Sequence, residues 1–298
     1  MRARGLLGEL WRSAPGKLGL ILLGILVVGS VVVVATYPPD FGPARWSNPA
    51  LWADYPRSAP PVWVNLFSRE RRMAHRLVQL SSPSEVTATN AGATAHYRMR
   101  FSLAPGQVPT FLSFSVTDTQ FQSQPPVITA TLLRPDGDAV TLHREAVSGP
   151  RSGESPPYHR NAEDPLRVVV DAEDDSLDAL VTLFSDRYAA VVDRSAVEDQ
   201  FGRMLFSKPV GGGFQTLTGD YVLEVQIQGA DPKDRAGSVR LVAGGSVFGA
   251  LGTDALGRDL AQGLLFGLPI ALLIGISTAV VGTLIGMGLG LASGYFGG

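Results

Sequence analysis

Apolar and polar positions divide the chain into two long apolar runs and a mixed region between them. Leu18 to Ala35 reads LGLILLGILVVGSVVVVA, and no charge occurs from Leu18 to Pro39. A helix needs about 20 apolar residues to cross about 30 Å of hydrocarbon. With Thr36 and Tyr37 at the interface, residues 18–37 are expected to form a transmembrane helix. A cleaved signal peptide is the alternative, but its apolar core would be shorter, and VVVVATYPP offers no small-x-small cleavage site. The second run, Leu264 to Phe296, exceeds one span and falls short of two spans plus a turn. It predicts one long, tilted helix over residues 264–298. Thr278, Gly282, Gly286, Gly290 and Gly294 recur there every four residues, along one slowly rotating stripe. Lipid gives helices no hydrophobic drive to associate, so small residues that let backbones approach take over that role. Glycine is also tolerated singly in such helices; five positions in register favour a packing face toward other membrane helices.

The flanks give the orientation. Arg2, Arg4, Arg12 and Lys17 precede the first span against Glu9 alone, and Asp40 opens the far side. Positive charge is retained in the cytoplasm, which places the basic leader (1–17) inside and everything from Pro38 to the second span outside.

Residues 38–67 are rich in Pro, Trp and Tyr without sustained periodicity and predict an extended connector. Trp46, Trp52 and Trp63 suit either the headgroup level or packing against the outer domain. Ser68 to Leu80 has helical spacing, with Arg69, Arg71, Arg72 and Arg76 suited to contact with anionic headgroups or, the favoured reading, to a solvated helix face. From Thr94 onward the pattern is that of strands. TAHYRMRFSL, TFLSFSVTD, VITATLL, AVTLHREA, LRVVVDA, DALVTLF, YVLEVQIQG and SVRLVAG are short, β-branched or aromatic, and separated by turn residues. Arg134-Pro135-Asp136-Gly137-Asp138 is a hairpin turn signal. Val191, Val192, Val197, Phe201 and Leu205 predict a helical interruption between Asp186 and Phe206. Without a βαβ rhythm, residues 68–245 read as an antiparallel, sandwich-like extracytoplasmic domain.

Composition narrows the chemistry. At 298 residues the chain holds one or two domains, and a net charge of -2 speaks against a nucleic-acid partner. There is no cysteine, hence no disulfide, thiolate site or cysteine nucleophile. His75, His96, His143 and His159 have no i,i+4 partner and no HExxH context, so no metal site is expected. The acidic stretch Asp171 to Asp178 lacks the glycine and final glutamate of an EF-hand and reads as a solvated turn. KPVGGGFQTLTGDY lacks phosphate-loop order and reads as a flexible connection, and no GxSxG elbow accompanies the serines. No catalytic residue and no cofactor are expected, and the chain is not expected to be an enzyme.

The remaining feature is FGALGTDALGRDLAQGLLFG, Phe248 to Gly267, whose compact charged turn lies in the segment 246–263 at the threshold of the second apolar run. Thr253 or Asp254 suits a helix N-cap, Asp254 and Arg258 are i,i+4 neighbours, and Leu256, Leu260 and Leu264 share a face. These spacings predict a short amphipathic helix on the outer surface that caps and anchors the second span.

This stretch and its continuation to GYFGG closely resemble the segment that opens the permease core of ABC importers for dipeptides, oligopeptides and nickel. The pattern is that of the C-type permease subunit: GTDxxGRD, a leucine-rich stretch, then a Gly-rich helix ending GYFGG. Gly252, Thr253, Asp254, Gly257, Arg258, Asp259 and Gly294 to Gly298 match it position by position. The basic leader, single span and Pro38-Pro39 exit are similar too. The resemblance implies a multi-pass protein of a prokaryotic plasma (inner) membrane that works by alternating access. Its implied partners are a B-type permease subunit, ATP-binding subunits that bind and hydrolyse the ATP, an extracytoplasmic substrate-binding protein, and the lipid bilayer. Peptides or a related small solute are the implied cargo. Two departures stand out: a whole β-rich domain sits where the family has a few dozen residues, and Leu268-Pro269 stand where a basic residue is common. The family continues with further spans and an EAA-type coupling loop, so a chain ending at Gly298 is expected to be an N-terminal fragment. The alternative is a membrane-anchored extracytoplasmic binding or scaffold domain without a transport role, which leaves GTDxxGRD and the glycine stripe unexplained. A secreted hydrolase on a stalk has no supporting constellation.

Overall fold

Every second side chain from Ala93 to Leu103 is buried, and this alternation marks the longest strand of the β region. The computed structural model describes residues 13–89, 92–170, 174–211 and 213–297. The leader charges Arg2, Arg4, Glu9 and Arg12, residues 171–173 of the acidic stretch, Gly212 and Gly298 lie outside them. The chain forms two units, one of residues 1–53 with 258–298 and the other of residues 54–257.

The first unit is helical. Helix α1 (Ala14–Thr36) starts at Ser13, whose hydroxyl accepts from Gly16 N at 3.1 Å. At 1.5 Å per residue its 23 residues reach about 34 Å, and the 37 residues of the second long helix, Leu260–Phe296, reach about 55 Å. Both are long and apolar enough to cross a membrane. They pack through α1's buried Ser30 and Val33, with Gly29 facing Leu268. Phe41, which is buried, lies 4.9 Å from Phe266 between ring centroids. Three threonine hydroxyls of the apolar helices bond to carbonyls one turn back: Thr36 to Val32 (2.7 Å), Thr278 to Ile274 (2.8 Å) and Thr283 to Ala279 (2.7 Å). This local pairing satisfies a polar group on an otherwise apolar helix.

The second unit is two five-stranded antiparallel sheets around one core. One sheet runs β1 (Arg76–Leu80), β12 (Arg235–Ala243), β4 (Leu112–Phe121), with β7 (Tyr158–Arg160) and β8 (Leu166–Val169) sharing the far edge of β4. The other runs β2 (Glu85–Thr89), β3 (Gly92–Leu103), β11 (Gly219–Gly229), β5 (Val127–Leu133), β6 (Ala139–Ala146). A separate hairpin joins β9 (Ser207–Val210) and β10 (Gly213–Thr216). Tyr97, Met99 and Phe101 of β3 and Leu223, Val225 and Ile227 of β11 share the core with Phe114 and Val116 of β4 and with Val239 and Leu241 of β12. The β5–β6 hairpin closes as its turn residues require, Arg134 N bonding Asp138 O (2.8 Å) and Gly137 adopting φ +87°.

Two sequence expectations are corrected. DALVTLF is not a strand: it lies in α2 (Asp174–Tyr188), where Leu177, Leu180 and Phe184 are buried at helical spacing. Alternation over so few residues could not separate the two periods. Ser68 to Leu80 forms no helix. Asn65 and Arg72 close a loop, Ala74 bridges Val247, and β1 pairs with β12 along the whole of its length. An open sheet edge overrode a local helical pattern. The helical interruption expected between Asp186 and Phe206 is present as α3 (Arg194–Met204), with Val197 and Phe201 buried, while α2 ends at Tyr188 and Val191 lies outside both helices and is fully exposed.

Tyr97 ties the sheets together. Its buried hydroxyl donates to Ala236 O (2.9 Å) and accepts from Ala236 N (3.1 Å), joining β3 to β12. Burial raises its pKa above the usual phenol value. Tyr97→Phe leaves two buried backbone groups without this partner, and an expected loss of about 1–3 kcal/mol follows. Denaturant unfolding of the two proteins measures it; an unchanged midpoint would mean the hydroxyl is dispensable.

Candidate functional site

Most of the charged turn belongs to the β-rich unit, where a proline-rich strap holds it. Proline has no N–H, so the strap offers carbonyls as acceptors. Phe248 N donates to Pro60 O (2.9 Å) and Thr253 N to Ala59 O (2.9 Å). In return Val62 N reaches Gly249 O (3.0 Å), Ser58 N reaches Asp254 O (2.8 Å) and the Trp63 indole reaches Ala250 O (3.0 Å). The Thr253 hydroxyl completes the clasp, donating to Pro56 O (2.6 Å) and accepting from Ala59 N (2.9 Å), and the residue is 5% exposed. Gly252 sits at φ +80° directly against the Ala59 carbonyl.

Asp254 makes a tight turn rather than the predicted cap. Its carboxylate accepts from Leu256 N (2.9 Å) and its carbonyl from Gly257 N (3.0 Å), with Gly257 at φ +82°. Positive φ at Gly252 and Gly257 excludes a right-handed helix there, so neither Thr253 nor Asp254 is an N-cap and Leu256 shares no helix face with Leu260 and Leu264. The cap is Asp259.

In the helical unit, Asp259 starts α4 (Leu260–Phe296): its carboxylate accepts from Ala261 N (2.9 Å) and from the Gln262 amide (3.2 Å). A carboxylate at this end also complements the helix dipole. The Arg258 guanidinium lies 4.6 Å over the Trp46 ring, within cation–π range. Gly263 makes room for the same indole, and Trp46 meets Trp52 edge-on at 5.8 Å. Trp52 is buried and donates to Arg45 O (3.0 Å). Both tryptophans therefore pack within this unit, whereas Trp63 is half exposed.

Thr278, Gly282, Gly286, Gly290 and Gly294 all lie on α4, and all are exposed. A Cβ added at any of the four glycines would meet nothing within 4 Å. Gly29 of α1 meets Leu268 near the start of α4, and Phe41 and Gly42 just beyond α1 meet Phe266, so the stripe is not the face that α1 uses.

Sequence reasoning treated the strap as a plain connector and gave no role to His75, which lies beside it. The His75 ring stacks on Tyr55 (5.8 Å, 16°) and meets Phe248 edge-on (5.4 Å). Both ring nitrogens are buried without a hydrogen bond. Burial pushes its pKa below the usual 6.5, an effect that Asp54 partly opposes. Below pH 6.5 the unfolded chain takes up a proton that the folded chain refuses, so His75 should lower stability as pH falls from 6.5 toward its depressed folded pKa. Above pH 6.5 it is neutral in both states and contributes no slope. Denaturation midpoints across this range, compared with those of His75→Phe, check it: the variant should lose part of the acid-side slope.

Elsewhere in the β-rich unit a cavity of about 540 Å³ is lined by Glu145, Arg151, Glu154, Arg160 and Glu163 among others. Arg160, itself buried, bonds both oxygens of Glu154 (3.2 and 2.6 Å) and holds that carboxyl below the usual glutamate pKa. His96, His143 and His159 each face a carboxylate, of Glu224, Glu145 and Asp118. No group of three metal-ligating side chains occurs among the described residues.

No family model and no curated protein matches the chain. Among solved structures, one described as carbohydrate-binding modules of the β-sandwich superfamily aligns over 63% of this chain and 61% of its own, at 8% identity and a TM-score of 0.24. A structure of infectious bursal disease virus, Gx strain, aligns over 56% and 35%, at 15% identity and a TM-score of 0.14. The chain spans less than two thirds of either, and scores this low carry no conclusion about fold or function.

Proposed function

We propose that this chain is the permease subunit of an ABC importer for peptides or a related small solute. In this reading α1 and α4 span a prokaryotic plasma membrane, the N-terminus is cytoplasmic and the β-rich unit lies outside. Substrate moves by alternating access, with a B-type permease subunit completing the pathway. ATP-binding subunits supply the drive, and a substrate-binding protein delivers cargo.

One observation carries the reading. The residues matching GTDxxGRD each have a defined task at the start of a long apolar helix: Thr253 is clasped, Asp254 and Gly257 turn the chain, Arg258 covers Trp46 and Asp259 caps α4. The unpartnered small-residue stripe of α4 suits a second permease subunit.

The test is uptake of a labelled peptide at matched membrane levels of the protein. Arg258→Ala removes the cover on Trp46 and should reduce uptake or copurification of the ATP-binding subunits severalfold. Arg240→Ala, which loses the contacts of a β12 surface arginine with Gln79 and a 3.8 Å ion pair with Asp54, should do neither. Equal behaviour of the two variants would sink the proposal and favour a tethered extracytoplasmic domain. Protease added to intact spheroplasts should cut within residues 54–257, and protection until lysis would reverse the topology.

A further inference from the structure

The loop between Asn65 and Arg72 has no role in the clasp, yet it is carefully closed. The Asn65 side chain donates to Arg72 O (3.0 Å) and accepts from Arg72 N (2.9 Å), while Ser68 donates to Val64 O (3.0 Å). This pins the ends of a loop whose tip exposes Leu66 by 81% and Phe67 by 83%. Val62 and Trp63, 40% and 52% exposed, precede the tip, and Trp63 meets Phe67 edge-on at 6.5 Å. Exposed Arg69, Arg71 and Arg72 follow it, against Glu70 alone. Folding buried none of these apolar side chains, although Met73 next to them is buried. A contiguous exposed apolar patch of this kind marks an interaction surface.

We infer that this loop docks on the anionic surface of a lipid bilayer, with Leu66 and Phe67 in the interface and the three arginines at the headgroups. The pattern is that of interfacial anchoring, in which apolar and aromatic side chains enter the acyl boundary and basic residues attract anionic lipid. The chain's connectivity selects this occupant. Val62 and Trp63 are bonded to Gly249 and Ala250, and the chain from Ala250 to Leu260 spans at most about 35 Å when fully extended. The patch is thus tethered to the start of α4, and the inference rests on α4 lying in the bilayer as proposed above. A protein partner would need no such tether and no excess of arginine.

The chain contains no cysteine, so single-cysteine reporters are clean. The full chain is reconstituted in phosphatidylcholine vesicles with and without phosphatidylglycerol and labelled with an environment-sensitive fluorophore at Ser68→Cys. Ile285→Cys in α4 and Lys233→Cys on the exposed turn between β11 and β12 serve as controls, and quenching by nitroxide lipids is read. Ser68→Cys should be quenched severalfold more than Lys233→Cys in anionic vesicles, and should fall to its level with Leu66→Ser and Phe67→Ser added. Quenching at Ile285→Cys alone overturns the docking and leaves the span standing. A blue shift at Ser68→Cys without quenching means a protein covers the loop and overturns it. No quenching even at Ile285→Cys overturns the membrane reading and the docking together.

Discussion

Gly252→Val should destabilise the β-rich unit by about 2–6 kcal/mol, from two separable causes. A β-branched residue held at positive φ costs on the order of 1–3 kcal/mol. Crowding a packed site adds about 1–3 kcal/mol more. Here the added Cβ runs into the Ala59 carbonyl, the acceptor for Thr253 N, so relief of the clash means loosening the clasp itself. Gly137→Val is the control, since Gly137 has nearly the same φ, +87°, and nothing within 4 Å of an added Cβ. It should show only the conformational cost. Denaturant unfolding of the full chain in detergent gives the two values, and limited proteolysis reads the strap directly. Residues 55–63 should become cleavable in the Gly252 variant and not in the control. Equal destabilisation by both would mean the strap yields freely, and that the Thr253 clasp does not fix the turn.

How much of this was legible depends on where the deciding interactions lie. VITATLL and AVTLHREA coincide with β5 and β6 to the residue, because alternation and the turn from Arg134 to Asp138 are local signals. The two apolar helices were legible for the same reason. DALVTLF was not, since its burial on α2 is decided by the core it meets. Strand β1 was hidden because only the free edge of β12 makes those residues extended. At the site, the motif residues were found and two of their tasks misplaced. The cap moved from Thr253 or Asp254 to Asp259 because glycines at positive φ break the helix first. The partners of the motif could not be read at all: Ala59, Pro60 and Pro56 lie nearly two hundred residues away in sequence, as the Thr253–Pro56 bond shows with its separation of 197. Their prolines were visible as a cluster, but what their carbonyls bond is a tertiary fact.

The same distinction decides whether α2 and α3 are decoration or part of the domain. Phe206 follows α3, is 2% exposed, and meets Phe101 of β3 at 6.2 Å and Tyr221 of β11 at 5.3 Å. Phe101 and Tyr221 are themselves stacked at 5.4 Å, so the three rings join the helical insertion to the middle of one sheet. The Phe206 carbonyl accepts from Leu217 N (2.8 Å), which holds the chain on its way into β11. Truncating a buried phenylalanine costs about 3–5 kcal/mol, the lost burial plus the cavity left behind. Phe206→Ala should therefore lower the unfolding free energy by about that amount. Both the helical insertion and the sheets should melt in one transition at the lower denaturant concentration. Hydrogen exchange separates the two possibilities, because it reads α2, α3 and the strands individually. If protection falls only in α2 and α3 while β3 and β11 keep theirs, the helices are an appendage that opens on its own. If β3 and β11 lose protection with them, the helical insertion is part of the core that supports the sandwich.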